Sequence, residues 1–110
     1  MEVEYCRDVC VECHRVCTDT ASYCLESGGE LEQSALVRML LDCAQVCQTT
    51  ADLLTRVADL QGVSCRVCAE VCARCAAMCK DSDDPRLQEC MQICRACALA
   101  CQDMLTAEAA

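Results

Sequence analysis

The sequence predicts an all-α protein, an antiparallel up-down-up-down four-helix bundle whose core is lined with cysteine. The first observation is that sixteen cysteines occur in 110 residues, most of them three or four residues apart. Alternating steps of three and four place side chains on one face of an α-helix, the face that turns inward in a bundle. The second observation is that glycine and proline divide the chain into four such segments. The cysteines are Cys6, Cys10, Cys13, Cys17, Cys24, Cys43, Cys47, Cys65, Cys68, Cys72, Cys75, Cys79, Cys90, Cys94, Cys97 and Cys101.

The first two helices are predicted over residues 3–27 and 31–60. Gly28 and Gly29 follow the first helix, and glycine commonly terminates helices. The second helix is expected to stop at Gly62, because its three-four alternation continues that far without interruption. Only two cysteines lie on this alternation, so the second helix contributes the least sulfur. Its predicted inward residues are Leu36, Leu40, Cys43, Cys47, Thr50, Leu54, Val57 and Gln61.

The third and fourth helices are predicted over residues 63–80 and 84–106. An acidic segment, Asp81-Ser-Asp-Asp-Pro85, interrupts the cysteine pattern between them. An acidic N-cap followed by proline at the first helical position is a strong start signal for the fourth helix. All connections are short, which makes neighbouring helices antiparallel. Residues 1–110 are therefore expected to form one domain.

Two further stripes flank the cysteine face of each helix. Small residues on one side let helix backbones approach closely, and larger apolar residues on the other side seal the core from water. The small stripe consists of Ala21, Ala44, Ala51, Ala58, Ala69, Ala76 and Ala98. The larger stripe consists of Val9, Val16, Tyr23, Met39, Val46, Leu53, Val71, Met78 and Ile93.

Composition limits the partners and the compartment. The net charge of −9 argues against nucleic acid, whose binding requires clustered Lys and Arg. No apolar run reaches the length of a membrane span, so no membrane association is expected. The first residues, MEVEYCRDVC, lack the basic and apolar regions of a secretory signal. We therefore expect a cytoplasmic protein whose thiols stay reduced, where cysteine arrays more often bind metal than form disulfides.

The charge of the core favours Cu(I) among the thiophilic metals. Four thiolates around Zn²⁺ leave a charge of −2, so sixteen thiolates arranged in that way would leave roughly −8 in a core without Lys or Arg. Cu(I) is soft and monovalent, and each thiolate can bridge two ions. About one Cu(I) per cysteine keeps the core near neutral, and each ion displaces about one proton. Iron–sulfur clusters are disfavoured, because no cysteine precedes proline and the ligands are spread along helices.

Other interpretations of the sulfur-bearing residues remain open. The cysteines themselves are either core residues that pack as small hydrophobes or members of structural disulfides. The only histidine, His14, is either a half-exposed helix residue or a peripheral ligand and proton acceptor beside Cys13 and Cys17. Met104 continues the inward face of the fourth helix after Cys101, and its thioether either fills space or guides Cu(I) at that end. The predicted metal-binding residues are the sixteen cysteines together with His14 and Met104.

The chain resembles the cytosolic copper storage proteins of bacteria, a family of cysteine-lined four-helix bundles. The segments that carry the resemblance are CRDVCVECHRVC, LDCAQVC, CRVCAEVCARCAAMC and CMQICRACALAC. The resemblance implies many Cu(I) ions held by thiolates inside the bundle, and a homo-oligomer, commonly a tetramer of bundles. Thr20 and Leu36 stand where some relatives have cysteine. Residues 80–86 stand where relatives often carry histidines.

The leading functional hypothesis is non-catalytic storage or detoxification of Cu(I). The first alternative is a metallothionein-like buffer for Zn²⁺ or Cd²⁺. The second alternative is a protein that cycles between thiols and disulfides, which is disfavoured because redox enzymes generally use one exposed cysteine of low pKa at a helix start. The sequence therefore predicts a copper-binding protein, not an enzyme.

Overall fold

The computed structural model describes residues 2–109, with side chains up to Ala107. Met1 and Ala110, which belong to the predicted domain, lie outside the described residues. Within that range the chain forms four α-helices and one short 3₁₀ helix, and no strand. The elements are α1 (Glu2–Ser27), the 3₁₀ helix (Gly29–Glu32), α2 (Ser34–Thr55), α3 (Gln61–Cys79) and α4 (Pro85–Ala109).

The helices form the predicted antiparallel bundle. Helix α1 packs against α2 and α4, α3 packs against the same two helices, and in the described chain the diagonal pairs make no close backbone approach. The bundle measures 46 × 21 × 19 Å. No helix in the described part of the chain combines the length and apolarity that crossing a membrane requires.

Two of the predicted boundaries of the second helix are wrong. Residues 29–32 form a separate 3₁₀ turn, because Gly28 (φ 68°) and Gly29 (φ 60°) both adopt positive φ angles, which end α1 and which glycine tolerates best. Helix α2 then starts at Ser34, and the Val37 amide bonds to the Gln33 carbonyl at 3.0 Å.

The end of α2 was predicted at residue 60 and lies at Thr55. The Ala58 amide bonds to the Leu53 carbonyl at 2.9 Å, and the Val57 amide bonds to the Leu54 carbonyl at 3.2 Å. This pair of bonds is a Schellman motif, which requires a left-handed residue, and Val57 occupies that position with φ 50°. Val57 is therefore 69% exposed and does not face the core. Gly62 does not stop α2 but lies in the first turn of α3.

The fourth helix starts as the sequence predicts. Pro85 is its first residue, and an Asp84 carboxylate oxygen accepts the Arg86 amide at 2.8 Å. This bond satisfies one of the free amides of the first turn.

The flanking stripes largely take the predicted places. All the alanines of the small stripe are buried except Ala58, which lies beyond the end of α2. The larger stripe is half-buried around the core, but Met78 is 42% exposed. Helix α1 packs most extensively with α2, and α3 with α4. Ala76 and Ala98 line the same groove between α3 and α4, as expected for closely approaching helices.

Candidate metal centre

All sixteen cysteines are buried and present free thiols. Their inward orientation follows from the three-four spacing, which keeps each thiol on the face that packs against the other helices. Between α1 and α4 the sulfurs form a ladder of direct contacts. The Sγ–Sγ distances are 3.7 Å for Cys6–Cys101, 3.6 Å for Cys10–Cys97, 3.8 Å for Cys13–Cys94 and 3.8 Å for Cys17–Cys90.

A shorter ladder joins α2 to α3. The Sγ–Sγ distances are 3.7 Å for Cys43–Cys72, 3.8 Å for Cys47–Cys68 and 3.6 Å for Cys47–Cys72. Cys97 of α4 connects the two ladders, at 4.0 Å from Cys47 and 3.9 Å from Cys68. The core therefore contains one connected body of sulfur.

The sulfurs gather into groups whose members all lie within 4.8 Å of one another. From one end of the bundle to the other these are Cys6/Cys65/Cys101, Cys10/Cys68/Cys97/Cys101, Cys13/Cys47/Cys72/Cys97, Cys13/Cys17/Cys43/Cys94 and Cys17/Cys75/Cys90/Cys94. Each group shares at least one cysteine with the next. Isolated tetrahedral zinc sites need four thiolates each. Cysteines that belong to two groups instead suit metal ions that are bridged by a common thiolate.

Sulfur spacing alone does not select the metal. Thiolates about 2.3 Å from a tetrahedral ion lie about 3.8 Å apart, which fits zinc as well as copper. Charge discriminates between them, because within the described residues the only buried polar side chains are Thr20 and Thr50. No buried cation compensates a core of thiolates, so the bound metal must supply the positive charge.

Contacts with neighbouring thiols lower the pKa of some core cysteines, such as Cys6 and Cys68, but burial acts in the opposite direction on them and favours the neutral form. Burial, followed by the nearby Asp84 carboxylate, raises the pKa of Cys24. Contacts with Cys75 and Cys90, together with burial, raise the pKa of Cys79 far above its ordinary range. A metal ion that binds to the cysteines as thiolates therefore displaces protons from the thiols of the core.

His14 and Met104 differ in how closely they relate to the sulfur core. The His14 ring is half-buried between α1 and α2, and its Nδ1 donates to the Ala44 carbonyl at 2.8 Å. That bond leaves Nε2 as the nitrogen with a free lone pair. Among the described residues His14 joins none of the sulfur groups. Met104 is buried, one turn beyond Cys101 on the inward face of α4.

Three features of the site escaped the sequence analysis. Leu87 is buried and continues the inward face of α4 three residues before Cys90, a step that was visible in the spacing. The Thr50 and Ser64 hydroxyls bond at 2.6 Å between α2 and α3. Among the described residues Cys24 and Cys79 belong to no group of mutually close sulfurs, although Cys79 contacts Cys75 and Cys90. The last two depend on how the helices are staggered along the bundle, which the sequence does not reveal.

A four-helix bundle with a continuous core of free, mutually contacting thiols belongs to the class of soft-metal-binding proteins. The family model of copper storage proteins matches residues 1–106. The chain belongs to the copper storage protein family. A curated relative, an uncharacterized cysteine-rich protein of Bacillus subtilis, is 27% identical over 85 residues, which is 77% of this chain and 79% of the relative.

Solved structures share the fold over nearly the whole chain. A protein of Nitrosospira multiformis is 35% identical with a TM-score of 0.90, covering 96% of this chain and 95% of its own. The Cu(I)-bound copper storage protein BsCsp3, from Bacillus subtilis, is 26% identical with a TM-score of 0.91, covering 96% and 99%. A cytosolic copper storage protein from Streptomyces lividans, loaded with five coppers, is 30% identical with a TM-score of 0.89, covering 96% and 92%.

Proposed function

We propose that this protein stores Cu(I) as thiolate complexes inside the bundle and has no catalytic activity. The observation that carries the proposal is the series of sulfur groups along the core, in which each group has a cysteine in common with the next. Soft monovalent ions bridged by common thiolates can fill such a chain without building up charge. Membership of the copper storage protein family and the Cu(I)-bound relative support the same metal.

The proposed ligands are the sixteen cysteines, with about one Cu(I) per thiolate at saturation. Cys13 and Cys97 support this number, because each of them belongs to two sulfur groups and can therefore bridge two ions. His14 is proposed as a peripheral ligand that acts through Nε2, since Nδ1 is occupied by the Ala44 carbonyl.

Met104 is proposed as the soft ligand through which Cu(I) enters and leaves. Its thioether binds Cu(I) without losing a proton, and Cys6, Cys65 and Cys101 form the outermost sulfur group at the same end. We call this the Met104 end. Helix α2 contributes no cysteine there, so ions at this end rely on three helices and are held by fewer thiolates.

The compartment and the assembly are part of the same proposal. A cytoplasmic location is supported by the similar Streptomyces lividans protein, which is described as cytosolic. Reducing conditions there keep the thiols available to metal. The proposed assembly is a homo-oligomer, the tetramer that the family resemblance implies, and light scattering measures its size.

An anaerobic Cu(I) titration against a chromogenic chelator tests the function. We expect saturation near one Cu(I) per cysteine; saturation at four ions or fewer would contradict the proposal. As a matched pair, Cys13→Ser should reduce the number of bound ions more than Cys24→Ser, because Cys13 belongs to two sulfur groups and Cys24 to none.

The alternative functions make different predictions for the same protein. A zinc or cadmium buffer would take up Zn²⁺ in preference to Cu(I) from an equimolar mixture, whereas the charge of the core predicts poor competition by Zn²⁺. A thiol-disulfide protein requires an accessible thiolate, but every cysteine is buried. Rapid reduction of a disulfide substrate by the metal-free protein would favour that alternative.

A further inference from the structure

The loop between α3 and α4, residues 80–84, is held in one conformation by side chains at its two ends. The Gln88 side-chain amide donates to the carbonyls of Lys80 at 3.2 Å and Ser82 at 2.6 Å. The Asp84 backbone amide donates to the Ser82 hydroxyl at 3.1 Å. The loop is therefore an ordered cap on this end of the bundle.

One side-chain contact ties this cap to α1. The Tyr23 hydroxyl donates to an Asp84 carboxylate oxygen at 2.5 Å, and the other carboxylate oxygen accepts the Arg86 amide. The Arg86 guanidinium lies 4.9 Å from the centre of the Tyr23 ring. The Tyr23 hydrogen bond lowers the pKa of Asp84, so the carboxylate is ionised and the bond is charge-assisted.

The cap adjoins the two thiols at this end of the sulfur core, Cys24 and Cys79. Cys24 follows Tyr23 directly, and Cys79 is the last residue of α3 before the loop. Both thiols are fully buried, yet neither belongs to a sulfur group in the described chain. We call this end of the bundle the Cys24 end. Since the loop starts directly after Cys79 and the Asp84 carboxylate acts on Cys24, movement of the cap would open a path from solvent to these two thiols.

We propose that the Tyr23–Asp84 hydrogen bond is a latch that holds the loop 80–84 closed over Cys24 and Cys79. Opening of the latch sets the rate at which molecules from solvent reach these thiols. The consequence for copper rests on the proposed function: a closed latch confines copper exchange to the Met104 end. Release of the latch provides a second route for Cu(I).

Alkylation of the reduced, metal-free protein with iodoacetamide tests the latch without copper. A buried thiol reacts through local opening, so its rate reports the population of the open state. In Tyr23→Phe, Cys24 and Cys79 should react about three- to fivefold faster, a range typical of losing one partly exposed charged contact. Cys6 and Cys101 should react at wild-type rates, as measured by mass spectrometry of peptides.

The matched control is Tyr5→Phe, which removes the same hydroxyl from a tyrosine that is 58% exposed at the Met104 end. It should leave all the rates unchanged. Wild-type rates at Cys24 and Cys79 in Tyr23→Phe would overturn the latch, and so would equal acceleration at both ends, which indicates general destabilisation. If Tyr23→Phe does not fold, Asp84→Asn provides the same test, because asparagine can still cap α4.

Copper removal by a chelator separates the latch from the proposed function. Loaded Tyr23→Phe should hold the same number of Cu(I) ions as the wild type and release them several-fold faster. Equal release rates would overturn the second route while the alkylation result decides the latch itself. If the wild-type protein takes up no copper, the proposed function fails, and alkylation still reports on the latch.

Discussion

The two ends of the bundle close the same sulfur core by different means. At the Met104 end α2 stops in a Schellman motif. In the connection to α3, Val57 is 69% exposed and Leu60 is 62% exposed. At the Cys24 end the connections are a 3₁₀ turn and a loop fixed by Gln88, Ser82 and Asp84. One connection thus carries exposed apolar side chains, and the other is fixed by side-chain hydrogen bonds.

Under the proposed function, this difference separates storage of copper from its exchange. The interior groups require only that thiols face one another, which the helical spacing provides on all four helices. The ends must also let ions pass, and passage depends on how easily each closure opens. Under the two proposals, the end that carries the Met104 thioether is suited to exchange, and the latched end is suited to retention.

The largest expected effect concerns neutral thiols at both ends. The pKa of Cys65 at the Met104 end is raised to about 12; its contact with Cys101 acts in the opposite direction, but the contact with Cys6 and burial prevail. The pKa of Cys24 is also raised, by burial. Unfolded thiols titrate near pH 8.5, so the unfolded chain binds fewer protons than the native state above that pH.

Metal-free protein should therefore be fully stabilised by these groups below about pH 8.5 and lose stability steadily as the pH rises toward the native pKa values. Urea unfolding between pH 7 and pH 10 measures the loss. In Cys65→Ala the free energy of unfolding should decline less steeply with pH, because this variant lacks one thiol that stays protonated in the native state. A flat profile to pH 10 would contradict neutral thiols in the core.

The second prediction compares apolar packing at the two ends. Leu40→Ala at the Cys24 end and Leu54→Ala at the Met104 end should each lower the free energy of unfolding by about 2–5 kcal/mol. Both side chains are almost completely buried. Leu54 lies in the last turn of α2, where the chain can collapse into the cavity, so Leu40→Ala should have the larger effect. Denaturant unfolding that ranks them in reverse would contradict the proposed contrast.

The third prediction concerns the strained residue of the Met104 end. Val57→Gly should raise the free energy of unfolding by about 1 kcal/mol, because a left-handed conformation is unfavourable for residues with a Cβ. Val67→Gly is the matched control: Val67 is 47% exposed within α3, where glycine weakens the helix. In thermal unfolding, Val57→Gly should raise the melting temperature and Val67→Gly should lower it. Destabilisation by both substitutions would argue against the Schellman motif.

A small effect on stability, and the most specific effect on exchange, is expected for Met104→Leu. The change conserves volume and should alter the free energy of unfolding by less than about 1.5 kcal/mol. It deletes the thioether, so copper uptake and removal by a chelator should slow several-fold while capacity stays nearly constant. Met91→Leu, also buried on α4, is the control. Unaltered exchange rates in Met104→Leu would rule out the proposed route.

The end of α2 illustrates where sequence reasoning failed. The three-four alternation continues through Val57 to Gln61, and valine is an unusual residue for a left-handed cap, so no local signal marked Thr55 as the last helical residue. The stop is imposed by the need to turn the chain so that α3 can pack antiparallel. By contrast, Asp84 and Pro85 carry a local start signal, and the predicted start of α4 was confirmed. Its predicted end at residue 106 was wrong, because the helix continues to Ala109.

The sequence by itself determined the four-helix bundle and the inward orientation of all sixteen thiols, because both follow from periodicity within single helices. The tertiary structure decided which thiols meet. The stagger of the helices places Cys13 and Cys97 in two sulfur groups each and leaves Cys24 and Cys79 beside the cap. Contacts between helices depend on their relative positions along the bundle axis, and these are set by packing and loop conformation rather than by the spacing of residues in one helix.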